Sequence, residues 1–74
     1  MSEKKSNFEV NIEDKVGIVK INRPDKMNAF TFEMFGEMEK ELLKLNDGTK
    51  DIRAIVLTGN GKHFTSGLDL IAAA

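Results

Sequence analysis

The chain has 74 residues, of which 41% are hydrophobic and 31% charged, with a formal net charge of -1 and no cysteine. That length holds one domain at most, with a small core, and the composition is that of a globular chain rather than a disordered tail. The near-neutral charge gives no reason to expect nucleic acid, no apolar run is long enough to span a bilayer, and no disulfide or thiolate metal site is available.

Residues 1–7 are polar and charged, lack the apolar core of a secretory signal, and read as a flexible leader. From Phe8 to Glu13 apolar and polar residues alternate, the pattern of a half-buried strand, and 16–21 is a second, more continuously apolar strand. The short polar link between them predicts a hairpin. Pro24 ends the second strand, because it cannot donate to a ladder and pushes Arg23 toward extended geometry. A loop over 25–29 follows.

Thr31 is the N-cap candidate of the clearest helix, 31–46. Phe35, Met38, Leu42 and Leu45 recur at three- and four-residue spacing and form one apolar stripe. A strict capping box fails, since Met34 stands where Glu or Gln belongs. Glu37 with Lys40, and Glu41 with Lys44, are spaced to pair. Asn46, Asp47 and Gly48 form a stop signal, and 47–51 is a surface connection.

Residues 54–57 are apolar and rich in β-branched side chains, as in a strand covered on both faces. Gly59, Gly61 and Gly67 then punctuate a loop, and Asp69 stands at a helix start with Leu70 and Ile71 after it. Such a loop presents free backbone N–H groups, which hold an oxyanion or a phosphate well. Two phosphate motifs fail here. The dinucleotide fingerprint needs a glycine where Phe64 stands, and the P-loop needs Ser or Thr at His63 and a glycine at Val56.

What the loop does resemble is the signature of the enoyl-CoA hydratase/isomerase family, the crotonase superfamily: Gly-x-Gly-Lys-x-Phe-x-x-Gly-x-Asp-aliphatic, matched from Gly59 to Leu70. Upstream, Asn22, Arg23, Pro24, Asn28, Ala29 and Phe30 match the family's first CoA-contacting segment, Asn-Arg-Pro-x-x-x-Asn-Ala-[Leu/Phe]. The two motifs stand in the family's order, and the likeness covers nearly all of the chain after Phe8. It implies an α/β fold, the N-terminal ββαβ portion of a crotonase-like spiral of ββα units, with 8–74 as a truncated part of that domain. The apolar finish at 70–74 reads the same way, as a piece of something larger.

The resemblance also implies chemistry on acyl-CoA thioesters. Two backbone N–H groups hold the thioester oxygen while enolate-like charge develops on it. The first donor falls on the N–H of Leu68; the second belongs to a later glycine outside these residues. Lys26, Met27 and Ala29 match positions that touch the CoA part largely through main-chain atoms, and Ser66, Gly67, Leu68, Asp69 and Leu70 would line the thioester end. Lys62 would approach a CoA phosphate. The plain alternatives are a solvated Lys26, an Asn28 that caps the helix, and a tight turn at Gly67 with Asp69 as an N-cap. His63, the one histidine, reads as a solvated loop residue and Asp69 as a structural cap rather than a base.

Met27, Met34 and Met38 near Phe30, Phe32 and Phe35 read as core, with an acyl-pocket wall as the alternative. No metal and no cofactor is implied, since coenzyme A belongs to the substrate. Family members are homotrimers or hexamers, and a cytoplasmic location is expected. The family's general acid and base come after the second oxyanion glycine. These residues therefore leave hydration and double-bond isomerisation open, with a lean from 64–70 toward dienoyl-CoA isomerase-like members. The alternative is a non-catalytic, short CoA-binding or partner-packing chain.

Overall fold

A computed structural model describes residues 6–73. Strands β1 (Phe8–Glu13) and β2 (Val16–Ile21) pair antiparallel, with Glu13 opposite Val16. The two-residue link takes left-handed geometry at both Asp14 (φ 50°) and Lys15 (φ 67°), which matches the twist of the flanking strands. Helix α1 (Phe32–Leu45) crosses over to β3 (Ala54–Gly59), which lies parallel to β2, so the sheet order is β1-β2-β3. A short helix, α2 (Leu70–Ala73), follows the glycine loop. The order is the expected ββαβ of an α/β fold.

The core lies between one face of β1 and β2 and the inner side of α1. Phe8, Val19, Ile21, Phe30, Met34 and Leu45 form it, with Val10, Met38, Leu42 and Ile52 packed against it. Gly17 belongs to this face because a Cβ there would stand 2.9 Å from a Leu45 methyl. Phe8 meets the Phe30 ring edge-on at 5.9 Å between centroids, a favoured aromatic geometry.

Thr31 caps α1, its hydroxyl accepting from the Met34 N–H at 3.3 Å. The reciprocal half is present too: the Thr31 N–H reaches the Met34 sulfur at 3.4 Å. The expected failure of the capping box is therefore corrected, a thioether standing in for the usual carboxylate or amide as a weak acceptor. The stripe is rotated as well. Met34 is fully buried and Phe35 is 49% exposed, because the cap turns Met34 inward over the sheet. Met27 and Phe32 are exposed rather than core. Lys44 pairs with Glu41 at 3.5 Å as expected, whereas Glu37 accepts from the Asn7 amide at 2.9 Å instead of meeting Lys40.

The strand expected to be covered on both faces is not. Ile55, Val56 and Leu57 are 39 to 47% exposed. Leu57 and Ile55 share the face of their partners Val19 and Gly17, but α1 packs over β1 and β2 and leaves β3, one of the sheet's two edge strands, uncovered. Of the expected leader, residues 1–5 lie outside the described residues. Ser6 and Asn7 are tied to the end of β2: the Asn22 N–H donates to the Asn7 carbonyl at 2.7 Å and its side-chain amide to that of Ser6 at 3.2 Å.

Candidate functional site

Parallel pairing brings the ends of β2 and β3 to the same edge of the sheet, and the two loops that leave them interlock. The first loop opens with a 3-10 turn at Pro24–Lys26. It then places Met27 and Asn28 in left-handed geometry at φ 53° and 57°, which Asn tolerates better than most residues. The Asn28 N–H returns to the Arg23 carbonyl at 2.8 Å.

Asn28 is fully buried and joins the two loops. Its side-chain oxygen accepts from the Arg23 N–H at 2.8 Å, and its amide donates to the carbonyls of Asn60 at 2.8 Å and His63 at 2.6 Å. A buried amide with every strong partner supplied is stabilising, whereas the same groups left unpaired would be costly. Gly59 lets the loops close. A Cβ there would lie 2.5 Å from the carbonyl oxygens of His63 and Phe64 and 2.7 Å from the Asn28 amide nitrogen. No buried side-chain nitrogen or oxygen among the described residues lacks a partner.

A second connection runs through Arg23. Its guanidinium donates to the Ala29 carbonyl at 2.8 Å and meets the Asp69 carboxylate at 3.2 Å, both side chains being largely shielded from solvent. Asp69, expected as a cap, is thus an ion-pair partner of the upstream motif, and its main chain is held as well. Phe30 and Leu68 form a one-residue parallel bridge: the Phe30 N–H donates to the Gly67 carbonyl at 2.8 Å, and the Asp69 N–H to the Phe30 carbonyl at 2.7 Å.

That bridge decides what the loop presents. The Ser66 N–H donates to the Met27 carbonyl at 3.0 Å, and the Gly67 N–H to the Thr65 hydroxyl at 3.1 Å. From Ser66 to Asp69, the Leu68 N–H is the one amide with no acceptor among the described residues. A planar trans peptide sets an N–H opposite the carbonyl it shares a plane with. The Gly67 carbonyl is taken by Phe30, so the Leu68 N–H is turned away from Phe30.

Leu68 lines two cavities. One, of about 370 Å³, is walled by Lys26, Met27 and Ala29 from the first loop and by Ser66, Leu68, Asp69 and Leu70 from the second. The residues expected to receive CoA and to line the thioester end therefore come together, all except Gly67. Gly67 lies with Leu68 on the other cavity, about 270 Å³ and almost wholly apolar, bounded by Phe30, Phe35, Met38, Leu57 and Phe64. Lys62 is exposed and lines neither cavity. His63 is exposed and enters the site through its carbonyl alone. Among the described residues, no three His, Cys, Asp or Glu side chains cluster as metal ligands would.

Asn28, Arg23 and Thr65 are the residues that sequence reasoning missed as parts of the site. The first two were in view as motif positions, but their partners lie in the other loop and no local spacing points to them. Thr65 carries no motif signal at all.

The family model for enoyl-CoA hydratase/isomerase matches residues 11–74. Over 50 residues the chain is 48% identical to the peroxisomal Delta(3,5)-Delta(2,4)-dienoyl-CoA isomerase of Arabidopsis thaliana, covering 68% of this chain and 18% of that protein. Over 63 residues it is 35% identical to the "Probable enoyl-CoA hydratase EchA14" of Mycobacterium tuberculosis, covering 85% and 24%. The crystal structure of an enoyl-CoA hydratase/isomerase from Pseudoalteromonas atlantica T6c superposes with a TM-score of 0.75 at 35% identity, covering 88% of this chain and 26% of that one. The chain spans about a fifth to a quarter of the length of these relatives.

Proposed function

Because the chain belongs to the enoyl-CoA hydratase/isomerase family, we propose that its protein acts on acyl-CoA thioesters, with the Leu68 N–H as one of two backbone donors to the thioester oxygen. The observation that carries this reading is the Leu68 amide, which has no acceptor among the described residues and is flanked by Ser66, Gly67 and Asp69 amides that all have acceptors. A donor held in place before the reaction needs no reorganisation as charge develops on the oxygen, and one such donor accounts for roughly 10²–10³ in rate. Lys26, Met27 and Ala29 would receive the CoA part. Ser66, Gly67, Asp69 and Leu70 would line the thioester end.

The reaction in this reading is hydration or double-bond isomerisation of the fatty-acid oxidation type. The lean is to isomerisation, supported by the 48% identity to a dienoyl-CoA isomerase. Coenzyme A enters with the substrate, and no separate cofactor is called for. A homotrimer or hexamer belongs to the same reading, supported by the family, as does a cytoplasmic location. No helix among the described residues is long and apolar enough to cross a membrane.

The test is titration with 2-enoyl- and 3,5-dienoyl-CoA, followed by product analysis. A folded protein that binds neither thioester contradicts the reading; one that binds both without turnover points to the non-catalytic alternative. Two variants sharpen it. Leu68→Ala should lower activity only a few-fold, because the donor is main chain. Gly67→Val should lose on the order of 10²-fold, because φ is +100° at Gly67 and a β-branched residue cannot hold that geometry. Equal losses would count against Leu68 as the donor.

A further inference from the structure

The peptide that carries the Leu68 N–H starts at a glycine that no packing holds. A Cβ built on Gly67 would meet nothing within 4 Å, and its φ of +100° lies where side chains are rarely tolerated. Its orientation is therefore set by hydrogen bonds at its two ends. The carbonyl is held by the Phe30 N–H at 2.8 Å, and the N–H by the Thr65 hydroxyl at 3.1 Å. That hydroxyl is itself fixed, because its proton goes to the Asn28 carbonyl at 2.6 Å. Asn28 is fully buried and anchored by three side-chain hydrogen bonds, so the carbonyl is a rigid post.

We propose that Thr65 is a positioning residue for the oxyanion donor: its hydroxyl, seated on the Asn28 carbonyl, holds the Gly67 N–H and so aims the Leu68 N–H at the thioester oxygen. The inference rests on the function proposed above and adds to it a side chain on the wall of the apolar cavity beside Gly67 and Leu68, acting through the Gly67 amide. It requires a hydroxyl that donates and accepts at once. Serine meets that requirement. Valine, of nearly the same shape, does not.

The experiment compares Thr65→Val and Thr65→Ser in the full-length protein by two readouts. In steady-state turnover of an enoyl- or dienoyl-CoA, Thr65→Val should lower kcat about tenfold or more with KM changed less than about threefold, and Thr65→Ser should restore kcat to within about threefold of wild type. In amide hydrogen exchange without ligand, Gly67 should exchange roughly tenfold faster in Thr65→Val and near the wild-type rate in Thr65→Ser. Valine and serine variants that behave alike in both readouts, or a loss confined to KM, would overturn the proposal. If exchange separates the variants but wild type neither binds nor converts a thioester, the function itself is overturned and Thr65's catalytic part falls with it, the hydroxyl relay not being at fault.

Discussion

β2 and β3 are neighbouring six-residue strands of similar apolar character, yet their fates differ. Val19 and Ile21 in β2 have no exposure, whereas Ile55, Val56 and Leu57 in β3 keep 39 to 47% of theirs. Composition is not the cause. β2 is central in the sheet and lies under α1, while β3 is an edge strand and faces the apolar cavity bounded by Phe35, Met38 and Phe64. The interlocked loops at the ends of these strands contrast with β3 in turn. Their buried polar groups are satisfied by residues within this chain, so the donor geometry is set locally even where the apolar flank is open.

The largest effect should come from the loops. Asn28→Ala removes an acceptor from the Arg23 N–H and donors from the Asn60 and His63 carbonyls, in a site with no exposure. At about 1–3 kcal/mol for each buried group left unpaired, denaturant unfolding should show a loss above roughly 3 kcal/mol. A loss below 1 kcal/mol would mean the loops do not depend on this residue.

Next comes the strand comparison itself. Ile21→Ala should cost about 2–5 kcal/mol, as deletion of a buried side chain does. Val56→Ala, on a strand whose side chains face solvent, should cost under about 1 kcal/mol. Similar losses would show that β3 is covered in the folded protein. Gly59→Ala should fall between, near 1–3 kcal/mol, because the backbone carbonyls 2.5 Å from its Cβ must move. Thermal unfolding alongside Gly48→Ala, whose Cβ meets nothing within 4 Å, separates that clash from backbone strain, since Gly48 has positive φ (84°) and Gly59 does not.

The smallest effect lies on the surface. The Thr49 hydroxyl and N–H both donate to the Asp47 carboxylate, at 2.6 and 2.9 Å, and hold its pKa below the usual value. A depressed carboxylate adds stability that is present above the unfolded pKa, about 3.9 for Asp, and is lost as pH falls through the folded value. Thr49→Val should therefore lower stability slightly at pH 7, where the Asp47 carboxylate is charged, with the deficit fading as pH falls below about 4. A deficit that is absent at pH 7, or that persists unchanged at about pH 2, would contradict it.

Much of this molecule was legible in its sequence. Period-2 alternation located β1, a more continuous apolar run located β2, and the apolar spacing with Thr31 and Asn46 located α1 between its caps. The motif matches drew Lys26, Met27, Ala29 and Ser66 to one cavity wall. What was illegible depended on partners distant in sequence. The burial of Met34 over Phe35 follows from a sulfur-completed cap, and the exposure of β3 follows from where α1 packs. The roles of Asn28, Arg23 and Thr65 require the second loop, some 30 to 46 residues further on for the first two, to be folded against the first. Spacing within one element carries no trace of such contacts.

The central claim is that the Leu68 N–H is held ready for a thioester oxygen. Isotope-edited infrared spectroscopy of an enoyl-CoA labelled at its thioester carbonyl reads that bond directly in the bound state. The claim predicts that the carbonyl stretch moves to lower frequency on binding, that the shift survives Leu68→Ala, and that most of it disappears in Gly67→Val. A carbonyl frequency that is the same bound and free, or a shift that Gly67→Val leaves intact, would contradict it.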